Sequence, residues 1–305
     1  MGKNPDQITS LLNMLSSNIY KTVTSAVFIF LCGLPFTLLG QNKVVGESFE
    51  TTSKDSVSIA YTVYGNQEDV LLFVHGWTCD QTYWKAQIPF FSKQYKVVTL
   101  DLGGHGNSTT GNRTEWTMER FAEDVLSVIA DLEYSSLTLV GHSMGAIVVL
   151  KTAAEQPENL EHIVCIDYLI SPLQAKNKKE VDEGLLPFEK DFYNMTKRFV
   201  PNMFNASADA NLKERIAEDM AQNNPEVAIS AAAYLAATDY TQTFEALQKN
   251  VSLKKGIVNA DKRPTDVAHY SKLGFTVDII ENSHHFMMLD QPEIFNATLQ
   301  KILKD

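Results

Sequence analysis

Three cysteines in 305 residues exclude a disulfide-stapled scaffold, and no Cys-x-x-Cys or His-x-x-x-His spacing offers a metal site. No complete Gly-x-Gly-x-x-Gly run occurs. Asp101-Leu102-Gly103-Gly104-His105-Gly106 comes nearest, and it reads as a structural turn that shapes a pocket floor rather than a dinucleotide cradle. No cofactor is expected. Repeats and low-complexity tracts are missing, which excludes a solenoid. Basic charge is short as well, with 26 Lys and Arg against 37 Asp and Glu, a net charge of −11. That balance argues against nucleic acid or an anionic lipid surface as a partner and is what a soluble protein needs.

Long apolar runs are scarce too. One follows Lys21, from Thr22 to Gly40, and ends just before polar Gln41. A positive residue, an apolar stretch and a small residue at its end read as a secretory signal over residues 1–40, cut after Gly40, with Met14 as a possible internal start. The protein is then exported, periplasmic or secreted. If the segment is kept, residues 22–40 are long enough to act as a membrane anchor, the one membrane contact expected. Its removal takes Cys32 and leaves Cys79 and Cys165, expected to be unpaired, buried thiols.

What remains suits one large domain with a real core, since 44 % of residues are hydrophobic. Gly46 to Tyr64 alternates as two hairpin strands do. Val70–Val74, Lys96–Leu100, Leu137–Val140 and Ile163–Ile166 are unalternating apolar runs, the mark of parallel strands covered on both faces. Helix-period segments separate them, such as Met118 to Leu132 with Phe121, Val125, Val128, Ile129 and Leu132 on one face. Strand–helix alternation implies an α/β fold with a doubly wound, mostly parallel sheet. From about Leu169 to Asn250 only helical, charged segments read clearly. Gly256–Val258 and Phe275–Ile280 then resume the sheet. The expected organisation is a core of residues 41–168 and 251–305, with a helical cap of residues 169–250 inserted before the last strands. Such a cap would sit over the C-terminal strand ends, where open α/β sheets bind ligands.

The sharpest motif is Gly141-His142-Ser143-Met144-Gly145, set between an apolar strand and a helix-favouring stretch. Gly-x-Ser-x-Gly in that setting is a nucleophile elbow, a tight turn that holds a serine hydroxyl above the sheet. A serine nucleophile needs a base, and the base needs a carboxylate to orient it. His285 follows the strand ending at Ile280 and is the expected base, with His284 as a neighbour that points elsewhere. Asp261, after the strand ending at Val258, is the leading acid. Asp167, after Ile166, is the alternative. His75-Gly76-Trp77 follows the first central strand, so the backbone N–H groups of Trp77 and Met144 are the expected oxyanion donors. His75, Gly76, His142, Phe286 and Met287 are the expected pocket residues, with the Trp77 indole on the acyl side.

Together, Val74–Trp77, Asp101–Ser108, Gly141–Gly145 and His285–Phe295 resemble the α/β-hydrolase superfamily, its esterase- and lipase-like branch, from about Glu47 to the C-terminus. The resemblance implies a triad of Ser143, Asp261 and His285. It departs from the family pattern at Ala146, where a glycine is frequent, and at Asn259-Ala260-Asp261, where Gly-x-x-Asp is more common. Serine at the elbow disfavours the dehalogenase and epoxide-hydrolase branches, which need a carboxylate there. The expected activity is cleavage of a carboxylic ester through an acyl-enzyme, on a small to medium apolar substrate. The alternatives are an amide or iminopeptidase-type hydrolase and a non-catalytic ligand-binding member of the fold. A small-molecule ester is the expected partner. The oligomeric state is not legible.

Overall fold

A computed structural model describes residues 44–304, and the expected signal or anchor of residues 1–40 lies outside them. Eight strands form one sheet: β1 (Glu47–Thr52), β2 (Ser58–Tyr64), β3 (Asp69–Val74), β4 (Lys96–Leu100), β5 (Ser136–His142), β6 (Leu160–Ile166), β7 (Lys254–Ala260) and β8 (Phe275–Ile280). Their spatial order is β1-β2-β4-β3-β5-β6-β7-β8. The first two pairings are antiparallel, and every pairing from β4 onward is parallel. This is the α/β class read from the sequence. Single-turn helices aside, nine helices are described: α1 (Met118–Ala130), α2 (Met144–Ala154), α3 (Lys178–Lys190), α4 (Phe192–Phe199), α5 (Ala210–Ala221), α6 (Pro225–Ala237), α7 (Thr241–Lys249), α8 (Val267–Lys272) and α9 (Pro292–Lys304).

The central strands are apolar along their whole length because both faces are covered. Residues 70–74 of β3 and 137–142 of β5 are buried without a break. One face packs on α1 and α2, with Phe121, Val125, Val128 and Ile147 in the layer. The other packs Trp84, Phe91, Phe295 and Leu299. Cys79 and Cys165 are free and buried. Among the described residues no helix is long and apolar enough to cross a membrane.

Between β6 and β7 the chain builds five helices, α3 to α7, and no strand. Their starts are set by side-chain caps. Asn177, Asp191, Asp209 and Asn224 each accept a hydrogen bond from a first-turn N–H, and Asn177 forms a reciprocal capping box with Glu180. Polar clasps hold α5 and α6 on the core. The Tyr83 hydroxyl donates to Asp219 at 2.6 Å, Asn223 donates to the Thr78 carbonyl at 2.9 Å, and the Tyr234 hydroxyl donates to Glu115 at 2.6 Å.

An ion triad, buried at Arg113 and Asp124 and partly exposed at Asp55, ties the loop before α1 to the core. Arg113 donates to both oxygens of Asp124, at 2.6 and 2.8 Å, and to both oxygens of Asp55, at 2.7 and 3.0 Å. Its guanidinium also lies 5.1 Å from the centre of the Trp116 ring. Burial alone would disfavour the guanidinium charge, yet the two carboxylates hold its pKa above the usual arginine value.

Candidate active site

The parallel register brings the chemistry to one edge. Val74 pairs with Gly141, His142 with Ile166, and Ile166 with Val258, so the residues that follow β3, β5, β6 and β7 emerge side by side. Ser143 caps β5 and opens α2 with φ 54° and ψ −120°, left-handed backbone that L-residues rarely adopt. Its N–H donates to the Ile166 carbonyl at 2.9 Å, which locks the turn to β6. Glycine is required on both sides of it. A Cβ at Gly141 would strike the Gly145 carbonyl, and one at Gly145 would strike the carbonyls of His75 and Val74.

The oxyanion side is equally close. A Cβ on Gly76 would lie 3.2 Å from the Ser143 Cβ and 3.0 Å from the His142 Nδ1, so the chain entering Trp77 passes directly over the elbow. Among the described residues the backbone N–H groups of Trp77 and Met144 have no acceptor, and Met144 is the first residue of α2, where such donors are free by geometry. His75 braces this loop. Its Nδ1–H donates to the Gly76 carbonyl at 2.8 Å, and its Nε2 accepts from the Leu102 N–H at 3.0 Å. Burial keeps the ring neutral, with a pKa near 4, and outweighs the Gly76 bond and the nearby Asp80 charge, which favour the protonated ring.

His285 and Asp167 meet. His285 Nδ1 lies 2.7 Å from Asp167 Oδ2, and the other Asp167 oxygen accepts the Ala260 N–H at 2.9 Å. The carboxylate is thus held by β7 on one side and aimed at the imidazole on the other. Burial would raise the Asp167 pKa, but the His285 hydrogen bond and charge outweigh it and hold the carboxyl below its usual range. With Nδ1–H donating to Asp167, Nε2 keeps the lone pair. The His285 ring packs against His142, the residue before Ser143, with centroids 4.6 Å apart. His142 Nε2–H in turn donates to the His285 carbonyl at 2.7 Å. The imidazole is therefore fixed beside the elbow.

This geometry corrects the expected acid. Asp261 does not meet His285. Its carboxylate accepts the N–H groups of Asn282 and Ser283, at 2.8 and 3.1 Å, and so braces the start of the histidine loop. The reason lies in the backbone. Asp167 sits with φ 48° immediately after β6, which turns its carboxylate toward β7 and His285, while Asp261 leaves β7 toward the β8 loop. His284, as expected, points elsewhere. It is buried, accepts the Phe286 N–H at its Nδ1, and puts Nε2 3.1 Å from Asp290.

The expected pocket is corrected as well. His75, His142, Phe286 and Met287 are each no more than 1 % exposed, and Gly76 lies against the elbow. Phe286 and Met287 turn down into the core with Phe204 and Phe295, because the backbone after His284 coils into a tight helical turn there. The cavity lies higher, under the cap. It measures about 320 Å³ and is lined by Trp77, Tyr168, Leu185, Phe188, Phe199 and Tyr240, among others. Two of its lining residues neighbour the proposed catalytic groups along the chain, Trp77 in the oxyanion loop and Tyr168 directly after Asp167. The Trp77 indole does line it, and its Nε1–H donates to the Ala228 carbonyl of α6 at 2.7 Å. The cap aromatics were visible in the sequence, but nothing in a helical pattern tells which of them turn inward.

A family model described as alpha/beta hydrolase fold matches residues 69–268. The chain is 24 % identical over 266 residues to 3-oxoadipate enol-lactonase 2 of Acinetobacter baylyi, spanning 84 % of this chain and 96 % of that protein. Two solved structures share the fold. An esterase from Exiguobacterium antarcticum superposes with a TM-score of 0.72 at 22 % identity, covering 84 % of this chain and 99 % of that one. A bromoperoxidase from Bacillus anthracis gives 0.71 at 21 % identity, covering 86 % and 100 %.

Proposed function

We propose that this chain, which belongs to the alpha/beta hydrolase fold family, cleaves carboxylic esters through an acyl-enzyme on Ser143. The observation that carries the reading is the Asp167–His285 hydrogen bond of 2.7 Å, with its imidazole packed on His142, the residue before a serine held at φ 54°.

In the proposed cycle His285 Nε2 takes the Ser143 proton as Oγ attacks the ester carbonyl. The N–H groups of Trp77 and Met144 receive the oxyanion. As the tetrahedral intermediate collapses, the carbon–oxygen bond to the alcohol breaks and the imidazolium returns its proton to the leaving oxygen. Water then repeats the attack on the acyl-enzyme, with His285 as base, and releases the acid. Asp167 holds the Nε2-basic tautomer and steadies the imidazolium. The apolar cavity supports a substrate with an apolar body of small to medium size.

A fluorophosphonate probe tests the nucleophile. Wild type should be labelled at Ser143, found by peptide mass spectrometry, and Ser143→Ala should not be labelled. With p-nitrophenyl butyrate, Ser143→Ala should lose roughly 10⁴-fold or more in kcat. Retention of more than about a tenth of the activity would remove Ser143 from the role.

A further inference from the structure

Tyr168 stands out among the cavity residues. It lines the cavity and is half-buried, and its hydroxyl, still open to solvent, has no hydrogen-bond partner among the described residues. The other cavity tyrosine, Tyr240, donates to the Leu235 carbonyl at 3.0 Å, and Tyr270 nearby donates to the Ser171 carbonyl at 2.6 Å. A ligand that displaces solvent from this hydroxyl must offer it an acceptor, because an unmade hydrogen bond in an apolar site is costly.

The backbone that carries Tyr168 is rigid. Asn259 Nδ2 donates to the Leu169 carbonyl at 2.8 Å, and the Asp266 N–H donates to the Ile170 carbonyl at 2.7 Å. With the Tyr270 bond to Ser171, three consecutive carbonyls after Tyr168 are pinned from the β7 and α8 side. The phenol is therefore presented in a fixed place, with little left to order when a ligand arrives. It also adjoins the reacting groups, one residue beyond Asp167.

We propose that Tyr168 is a specificity residue whose hydroxyl donates to an oxygen acceptor on an otherwise apolar substrate. The favoured substrate class is an ester or lactone with a keto or ether oxygen a few atoms from the scissile carbonyl. The apolar walls, Leu185, Phe188 and Phe199 among them, take the hydrocarbon, and Tyr168 reads the single polar atom. The substrate class rests on the hydrolase reading above; the contact itself does not require turnover.

Two matched pairs of probes test it. The acyl-side pair is p-nitrophenyl hexanoate and p-nitrophenyl 5-oxohexanoate. The alcohol-side pair is hexyl acetate and 5-oxohexyl acetate. In wild type the oxo member of at least one pair should have the higher kcat/KM, by about tenfold. In Tyr168→Phe that ratio should collapse toward unity, since only the hydroxyl is removed. The same pairs are titrated into Ser143→Ala with and without Tyr168→Phe, reading the fluorescence of Trp77 against a Trp77→Phe control. Discrimination in binding that vanishes with the hydroxyl supports the contact even if Ser143 proves not to be the nucleophile. No preference for either oxo probe in wild type, or a preference that persists in Tyr168→Phe, overturns the proposal.

Discussion

Asp167 Oδ2 lies 2.7 Å from His285 Nδ1, although the two residues are 118 positions apart and a second aspartate, Asp261, follows the very next strand of the sheet. Each aspartate has a distinct job in this arrangement, and substitution separates them. Asp167→Asn should lower kcat about 10³–10⁴-fold, because an amide cannot hold the imidazole in the Nε2-basic tautomer or offset its charge. Asp261→Asn weakens two hydrogen bonds to the 282–283 backbone and should cost about 1 kcal/mol of stability. Its kcat should change by less than about tenfold, since the imidazole keeps its carboxylate. Ester assays alongside urea unfolding of both variants check the division. The reverse pattern would return the acid role to Asp261.

The elbow backbone stores strain that glycine would release. Ser143 sits at φ 54° and ψ −120°, a conformation that costs a side-chain-bearing residue about 1–3 kcal/mol. Glycine adopts it freely but gives up about 0.5–1 kcal/mol through its more flexible unfolded chain. Strain relief wins, so Ser143→Gly should be inactive yet more stable than wild type by about 1 kcal/mol. Ser143→Ala keeps the Cβ and should gain little. Urea midpoints of the three proteins, measured at one pH, would show this order.

Acid should unfold this protein through its histidines before most carboxylates titrate. Burial lowers His75 to about 4, and His105 and His142 to about 3, against 6.5 for a free ring. The folded state keeps these rings neutral while the unfolded chain takes up protons below pH 6.5. Their contribution is therefore fully present above pH 6.5 and is lost as pH falls from there toward 4 and 3. Each ring adds a slope of up to about 1.4 kcal/mol per pH unit in that window. His105 donates to the Gly103 carbonyl at 3.1 Å, a bond a glutamine amide can reproduce. Between pH 6 and 5, His105→Gln should lose stability less steeply than wild type by about one proton's worth. An identical slope in the two proteins would rule the ring out.

The triad at Arg113 should behave as a unit. Asp124 is fully buried, and Arg113→Met would leave its carboxylate without a cation, at a cost of about 3–5 kcal/mol. Arg113→Met combined with Asp124→Leu removes both charges and should recover most of that loss. Guanidinium unfolding of the single and double variants gives the comparison.

Local chemistry was readable along the chain wherever it depended on neighbours in sequence. The apolar runs of β3 to β6, the capped cap helices, the Gly141–Gly145 elbow and the choice of His285 over His284 all follow from short-range pattern. Each is enforced by backbone sterics, caps or periodic burial. The acid could not be read that way. Asp167 and Asp261 both follow parallel strands that end on the same edge of the sheet, so in one dimension they look alike. Only the left-handed turn at Asp167, and the Ala260 N–H that receives its carboxylate, decide which one reaches the imidazole. The pocket failed for a related reason. Phe286 and Met287 are near His285 in sequence, but their backbone coils them into the core, while most of the cavity walls come from cap residues far upstream of His285, such as Leu185, Phe188 and Phe199. Sequence alone settles what each segment becomes, because propensity and period act over a few residues. Which side chains share a site, and which lose their partners there, was decided by packing between segments, where one turn of backbone redirects a carboxylate or an aromatic ring.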